Sequence, residues 1–427
     1  MKKPILLLII MSVLVIGTGS VIMLSACSGD DEQKAAKQKP EPVYNQLTGA
    51  TVEDGFDEDA LNRRVAAFVV ENAPDARPQW GMDDEEYSPD IILEGEVEGG
   101  ITRTLWFYRD FRKLPKQIGP MRSARPPFIR FSEFFDAIFI HWGQSHSSGD
   151  YVGANEVFKT DVVDHINQMH FGNECGMYDR DHTRNVSSEH TGIVYGDIVE
   201  AGIIESGVRK KPEEITKLKF NKTAKPMSDT RADEISVEFS DKTDWESKEW
   251  KYDEEDQQYH TDSFKNDLKR DNLLILYAET EYVTKENYQG PGGASSVTYC
   301  DYDMGGGKGK LISQGTVKDI EWQKKNGMLL LIDVEATEAA KAKAAQEEAE
   351  NPTKAESDEE TTEAPEPIVV EAKLNKGKTW IGWISNNHGG SIDIVAKEPA
   401  EGGSEGQEGD SDSSGSEENS DSSDETE

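Results

Sequence analysis

Leu24-Ser25-Ala26-Cys27 is where residue type and spacing point most sharply to a chemical event. Lys2 and Lys3 precede an apolar run from Ile5 to Leu24, and small residues lead straight into the thiol. This is the layout of an export segment cut just before a cysteine that takes lipid on its sulfur. The residues after it, Ser28, Gly29, Asp30 and Asp31, lack the positive charge that halts a transmembrane helix. The expectation is a signal peptide over 1–26 and a lipid-anchored protein on the extracytoplasmic face of the cell membrane. Two acyl chains anchor stably where one does not.

A second set of residues offers ionic chemistry. Arg103 follows Gly99-Gly100, and Arg122, Arg125, Arg180 and Arg184 fall near element ends. Guanidinium groups gathered on loops suit bidentate capture of phosphate, sulfate or carboxylate, and neighbouring glycines let backbone amides approach the same anion. The rival reading makes them structural ion pairs with Glu98, Asp110 and Asp181. Both stay open on sequence. The candidate anion site is Arg103, Arg122, Arg125 and Arg184 with His190 at its rim, and an enzyme would use Glu98 or His190 as acid or base.

Other chemistries are weaker. Ser123, Ser145 and His141 are the nearest nucleophile and base, but no Gly-x-Ser-x-Gly elbow surrounds either serine. His141 has apolar neighbours and reads as a core histidine. The pairs His141/His146 and His165/His170 lack His-Glu-x-x-His spacing, so neither a metal nor a cofactor is expected. Gly305 to Lys310 lacks the Lys-Ser/Thr end of a phosphate loop and reads as a hairpin turn.

The elements that must position these groups follow from patterning. Val65–Val70, Ile91–Val97, Thr102–Tyr108 and Ala137–Trp142 read as strands, with an aromatic helix at Phe128–Phe135 and further helices at Asp161–Met169 and Thr191–Ala201. Strands recur at Ile235–Phe239, Glu249–Tyr252, Leu273–Glu279, Val297–Tyr302, Gly309–Val317, Met328–Val334 and Thr379–Ser385, with glycine punctuation that suits antiparallel hairpins. The fold class is therefore α+β with mixed sheets. The chain divides into a flexible tether over 27–45, an N-terminal domain over 46–208, a basic linker over 209–230 and a strand-rich antiparallel C-terminal domain over 231–396. An acidic excursion over 336–366, whose Ala/Glu/Lys first half can form a solvated helix, and an acidic tail over 397–427 read as exposed and disordered.

A net charge of -37 excludes a general nucleic-acid binder, because such a surface repels phosphate. Cys175 and Cys300 are too few for a disulfide scaffold and read as ordinary thiols.

Three stretches carry a resemblance: Ala76-Arg77-Pro78-Gln79, Glu98 to Arg103, and Ile118-Gly119-Pro120-Met121-Arg122-Ser123-Ala124-Arg125. With Gly306–Lys310, Gln314-Gly315-Thr316, Trp322 and Gly377 to Ile381, they resemble the YerB-like family of two-domain bacterial lipoproteins, over most of residues 45–396. The resemblance implies a layered β-β-α sandwich for the N-terminal domain and no known activity. Where that family has a Pro-His-Asn step, this chain has Glu189-His190-Thr191. The expectation is an anion-binding or assembly module at the cell envelope, partnered by membrane lipid through Cys27 and by anionic envelope polymers or membrane proteins. The alternatives are an envelope hydrolase or transferase acting on phosphate- or glycan-containing polymers, and a scaffold for membrane proteins.

Overall fold

The run Ala66-Ala67-Phe68-Val69-Val70 has no polar alternation, which suits a strand covered on both faces. In a computed structural model that describes residues 43–161, 163–243, 247–286, 288, 295–350 and 367–397, it forms β1 (Ala66–Glu71), buried throughout. Cys27, the 1–26 leader, the tether to residue 42, residues 351–366 and the tail from 398 lie outside the described residues.

β1 belongs to a ten-stranded sheet. Its other strands, numbered along the chain, are β2 (Ile91–Glu96), β3 (Thr102–Tyr108), β4 (Ile138–His141), β5 (His165–Asn167), β6 (Asn272–Ala278), β7 (Gly306–Ser313), β8 (Thr316–Lys325), β9 (Met328–Asp333) and β10 (Thr379–Ser385). In space they run β9-β8-β7-β6-β10-β2-β3-β1-β4-β5. β1, β4 and β5 are mutually parallel, as are β6, β10 and β2. The β10–β2 pairing, from Ile91↔Thr379 to Gly95↔Trp383, carries one sheet through both halves of the chain.

Both sheet faces are covered. Val69, Leu93, Phe107, Leu274 and Trp383 pack against Phe128 and Phe131 of α1 (Pro126–Ser132) and Val157 of α2 (Ala154–Thr160). On the other face Phe68, Ile92, Trp106, Leu273 and Trp380 meet Ile235, Val237, Trp250 and Tyr259 from an antiparallel five-stranded sheet. Helices, large sheet and second sheet make the layered α+β architecture expected from sequence. The 209–230 connection is itself packed: Ile215 and Leu218 are buried and Lys219–Phe220 pairs with Lys373–Leu374.

Four expectations are corrected. Asp161–Met169 is not a helix, because α2 ends at Thr160 and His165–Asn167 is taken up as β5 beside β4. Within Thr191–Ala201, Gly192–Tyr195 is a strand between Gln117–Ile118 and Tyr178–Arg180, and the helix α3 (Val199–Ser206) begins only after it. Gly305–Lys310 is not a turn but enters β7, where a Cβ on Gly307 would stand 2.1 Å from the Tyr277 carbonyl oxygen. The turn comes later, at Gln314-Gly315, whose φ values of 52° and 65° suit a two-residue hairpin. Finally, the first part of the 336–366 excursion is ordered as α4 (Val334–Glu350), solvated except for Thr337.

Candidate functional site

The carboxyl ends of β1, β4 and β5 lie side by side, the position at which parallel α/β sheets hold ligands. Beyond β4 comes Trp142-Gly143-Gln144, with Gly143 in the left-handed region (φ 80°) and its amide donating to Asn167 Oδ1 at 2.9 Å. The segment after Pro120 is drawn across this end by backbone bonds, Glu71 N–H to Pro120 O at 2.8 Å and Arg122 N–H to Val69 O at 2.9 Å. Together they enclose a cavity of about 380 Å³ lined by Arg122, Ser123, Trp142, His146, His170 and Arg180 among others.

The arginines nominated from sequence separate into different environments. Arg103 and Arg125 converge on Glu98: Arg103 Nη2 donates to Oε1 at 3.1 Å, Arg125 Nε to Oε2 at 2.6 Å, and Arg125 Nη2 closes on Oε1. Burial pushes the Glu98 carboxyl up, but the Arg103 and Arg125 charges outweigh it and hold the pKa at about 2. Burial lowers Arg103 to about 10, whereas Arg125 is raised because its two bonds to Glu98 outweigh its own burial. Glu98 is therefore an anchored anion, unsuited to give or take a proton near neutral pH. Asp110 pairs with Arg63 at 3.1 Å, not with this group. Arg184 lies with its Cζ 3.7 Å from the centre of the Trp80 ring and donates to Ala76 O.

Arg122 is the nominated arginine that opens on the cavity. Its Nε donates to the buried Glu71 at 2.9 Å, and its Nη2 to the half-exposed Glu189 at 2.9 Å. Glu71 also bonds His190 Nδ1 at 2.8 Å, while His190 Nε2 stands 3.9 Å from Glu189. Arg180 stacks over Trp142, 4.5 Å from the ring centre, with Nη1 on Thr191 Oγ1 and Ser188 O. Glu71, Trp142, Asn167 and Glu189 were not singled out from sequence. Glu71 closes an apolar run, and nothing local marks its two partners.

His141 is fully buried with Nδ1 on Gly143 O at 2.7 Å and Nε2 on His165 Nδ1 at 2.9 Å. Burial, with His165 adding to it, lowers His141 to about 3, and burial and His170 lower His165 to about 4. They form a neutral core pair. Ser145 accepts from Tyr151 Oη and the Ala154 amide, and Ser123 donates to Trp142 O, so neither serine is set against a base. Cys175 and Cys300 are free thiols.

Residues 47–209 match the Protein of unknown function (DUF3048) N-terminal domain, and residues 235–342 match the DUF3048 C-terminal domain. The chain belongs to the DUF3048 family. It is 26% identical over 320 residues to "Putative lipoprotein YerB" of Bacillus subtilis (strain 168), covering 72% of this chain and 85% of the relative. The crystal structure of the YerB protein from Bacillus subtilis shares its fold, with a TM-score of 0.56 at 22% identity over 82% of this chain and 99% of that one. The resemblance carried by the Ile118–Arg125 motif is thereby confirmed. Every residue lining the cavity falls within the DUF3048 N-terminal domain. No helix among the described residues is long and apolar enough to cross a membrane.

Proposed function

We propose that this chain is a lipid-anchored extracytoplasmic binding module that takes the anionic group of an envelope ligand at the carboxyl ends of β1, β4 and β5. The anchor is supported by the Leu24–Cys27 box and by the name of the YerB relative. The observation that carries the binding site is the convergence of Arg122 and Arg180 on one cavity beside Ser123, Asn167, His146 and His170. Glu189, with a side chain 42% exposed, occupies Arg122 Nη2 with a carboxylate that an entering phosphate or carboxylate can displace. Among the described residues Arg180 uses Nη1 on Ser188 and Thr191 and its face on Trp142, which leaves Nε and Nη2 for a ligand.

The test is a thermal shift of the full-length chain with poly(glycerol phosphate), set against neutral dextran. The midpoint should rise with the phosphate polymer alone, and Arg180→Gln should abolish the rise without unfolding the protein. An equal rise in the variant, or none in the parent, overturns the site. For the anchor, Cys27→Ser should leave the membrane fraction or stay unprocessed, and full retention at unchanged size overturns it. A second reading, an envelope hydrolase or transferase, draws on the Glu71–His190 pair, in which a buried carboxylate orients an imidazole. Turnover of the same polymer, lost in His190→Asn, would favour it.

A further inference from the structure

The opposite end of the large sheet holds a second cavity. β2, β10 and β6 enter the sheet in parallel, in register at Ile91, Thr379 and Asn272, with Phe107 of β3 opposite Ile91. The adjoining residues, Tyr108, Asp90, Lys378 and Asp271, all line a cavity of about 590 Å³. Tyr108 pairs with Ala66 at the amino end of β1, whereas the arginine cavity lies past the carboxyl end of that strand. The two cavities are separate.

Tyr108 is 3% exposed, and its hydroxyl has no hydrogen-bond partner among the described residues. Arg270, 1% exposed and electrostatically coupled to Tyr108 and Asp90, leaves Nε and Nη2 without partners as well. Buried polar groups in this state destabilise a fold unless something else completes them.

The lining decides the kind of ligand. Carboxylates outnumber lysines by six to two, which repels an anion. A bare cation is poorly served too, because among the described residues no three of these acids bring ligand atoms close together. Asp271 accepts from Lys378 N–H at 2.7 Å and Gln258 Nε2 at 3.0 Å, and Asp90 accepts from Arg109 N–H at 2.7 Å. Asp54 holds Lys376 at 2.7 Å. Among the described residues the one group of three metal-suited side chains is Asp253, Asp256 and His260, outside this cavity, and Lys269 already binds Asp256 there at 3.0 Å. What the lining does offer is acceptors beside donors: Asp90 and Asp271 next to Tyr108, whose buried hydroxyl has no partner among the described residues, and Lys378, whose ammonium donates to Ser88 Oγ at 2.7 Å and keeps further N–H groups. Sugar hydroxyls donate and accept at once and so use both kinds. Phe56 and Tyr87 also line the cavity and suit the apolar face of a sugar ring.

We propose that this cavity is a saccharide site that seats a neutral, hydroxyl-rich sugar unit between Tyr108, Asp90, Lys378 and Asp271. Asp90 and Tyr108 come from the N-terminal DUF3048 domain and Asp271 from the C-terminal one, so the sugar contacts both.

The experiment is calorimetric titration of the full-length chain, in a detergent without sugar headgroups, with chitotriose and with maltotriose. At least one should bind, and Tyr108→Phe should weaken it roughly 2- to 12-fold. Without sugar, the same variant should melt at the parent temperature or above, because it loses a buried hydroxyl that has no partner. Arg180→Gln should bind the sugar normally, which keeps this test independent of the anion cavity. Binding of neither trisaccharide, undiminished binding in Tyr108→Phe, or a lower melting point for the free variant overturns the proposal.

Discussion

Replacing Glu98 by Gln removes the negative charge on which two guanidiniums close. The side chains of Arg103 and Arg125 are 3% and 10% exposed, and that of Glu98 is 16% exposed, so water does little to screen the group. A carboxyl moved from 4.5 to about 2 corresponds to about 3 kcal/mol in favour of the folded, ionised state. Glu98→Gln keeps the shape but leaves two cations in each other's field, so a loss of about 3 kcal/mol is expected near neutral pH. The sign of the pH dependence follows. Because the folded pKa lies below the unfolded value, the contribution is complete above pH 4.5, erodes as pH falls toward about 2, and is gone below it. Urea unfolding of parent and variant at steps across this range should therefore give curves that separate at neutral pH and converge in acid. A difference under about 1 kcal/mol at neutral pH, the size of an exposed pair, would refute the argument. So would a difference that does not change with pH.

The neutral His141–His165 pair should add a second acid sensitivity. With folded values of about 3 and about 4 against 6.5 when free, the unfolded chain binds more protons in this window, so stability falls as pH drops below 6.5. The double variant His141→Leu/His165→Leu should show a flatter stability profile between those limits in denaturant melts. Phe131, fully buried and 5.3 Å from Trp383 and 5.2 Å from Phe134 between ring centres, should cost about 3–5 kcal/mol on truncation to Ala, read from the urea midpoint. Gly307→Ala places a methyl 2.1 Å from Tyr277 O and should cost at least about 1–3 kcal/mol by the same measurement, with faster amide exchange where β7 pairs with β6.

Most of the strands were legible because a strand buried on both faces must be apolar along its whole length, as Ala66 to Val70 is. The stripe of Phe128, Phe131, Phe134 and Phe135 was legible for the corresponding reason, since helical spacing lays these rings on one face. β5 was misread because three residues carry no period of their own and only the partner strand β4 makes them extended. The pairing of β10 with β2 had no local trace, as nothing near Ile91 or Thr379 names the other.

Residue type alone picked out the arginines, and type does not say which carboxylate answers each one. Glu98 is five positions from Arg103 in sequence and was visible as a partner, yet it also takes Arg125, 27 positions away, which only the fold brings to it. Arg122 sits only three residues before Arg125, but its backbone bonds to β1, and this turns it toward Glu71 and the cavity. The two arginines thus sit differently in neighbouring positions, one neutralised inside the fold by Glu98 and one held at a cavity wall between Glu71 and Glu189. This predicts different outcomes from the same truncation. Arg125→Ala leaves Glu98 buried with half its compensation and should cost about 3–5 kcal/mol. Arg122→Ala leaves Glu71 still bonded to His190, so it should cost less stability while removing most of the response to poly(glycerol phosphate). Equal stability losses from the two variants in urea melts would mean that Arg122 is structural as well, and that the cavity lacks its principal anion donor.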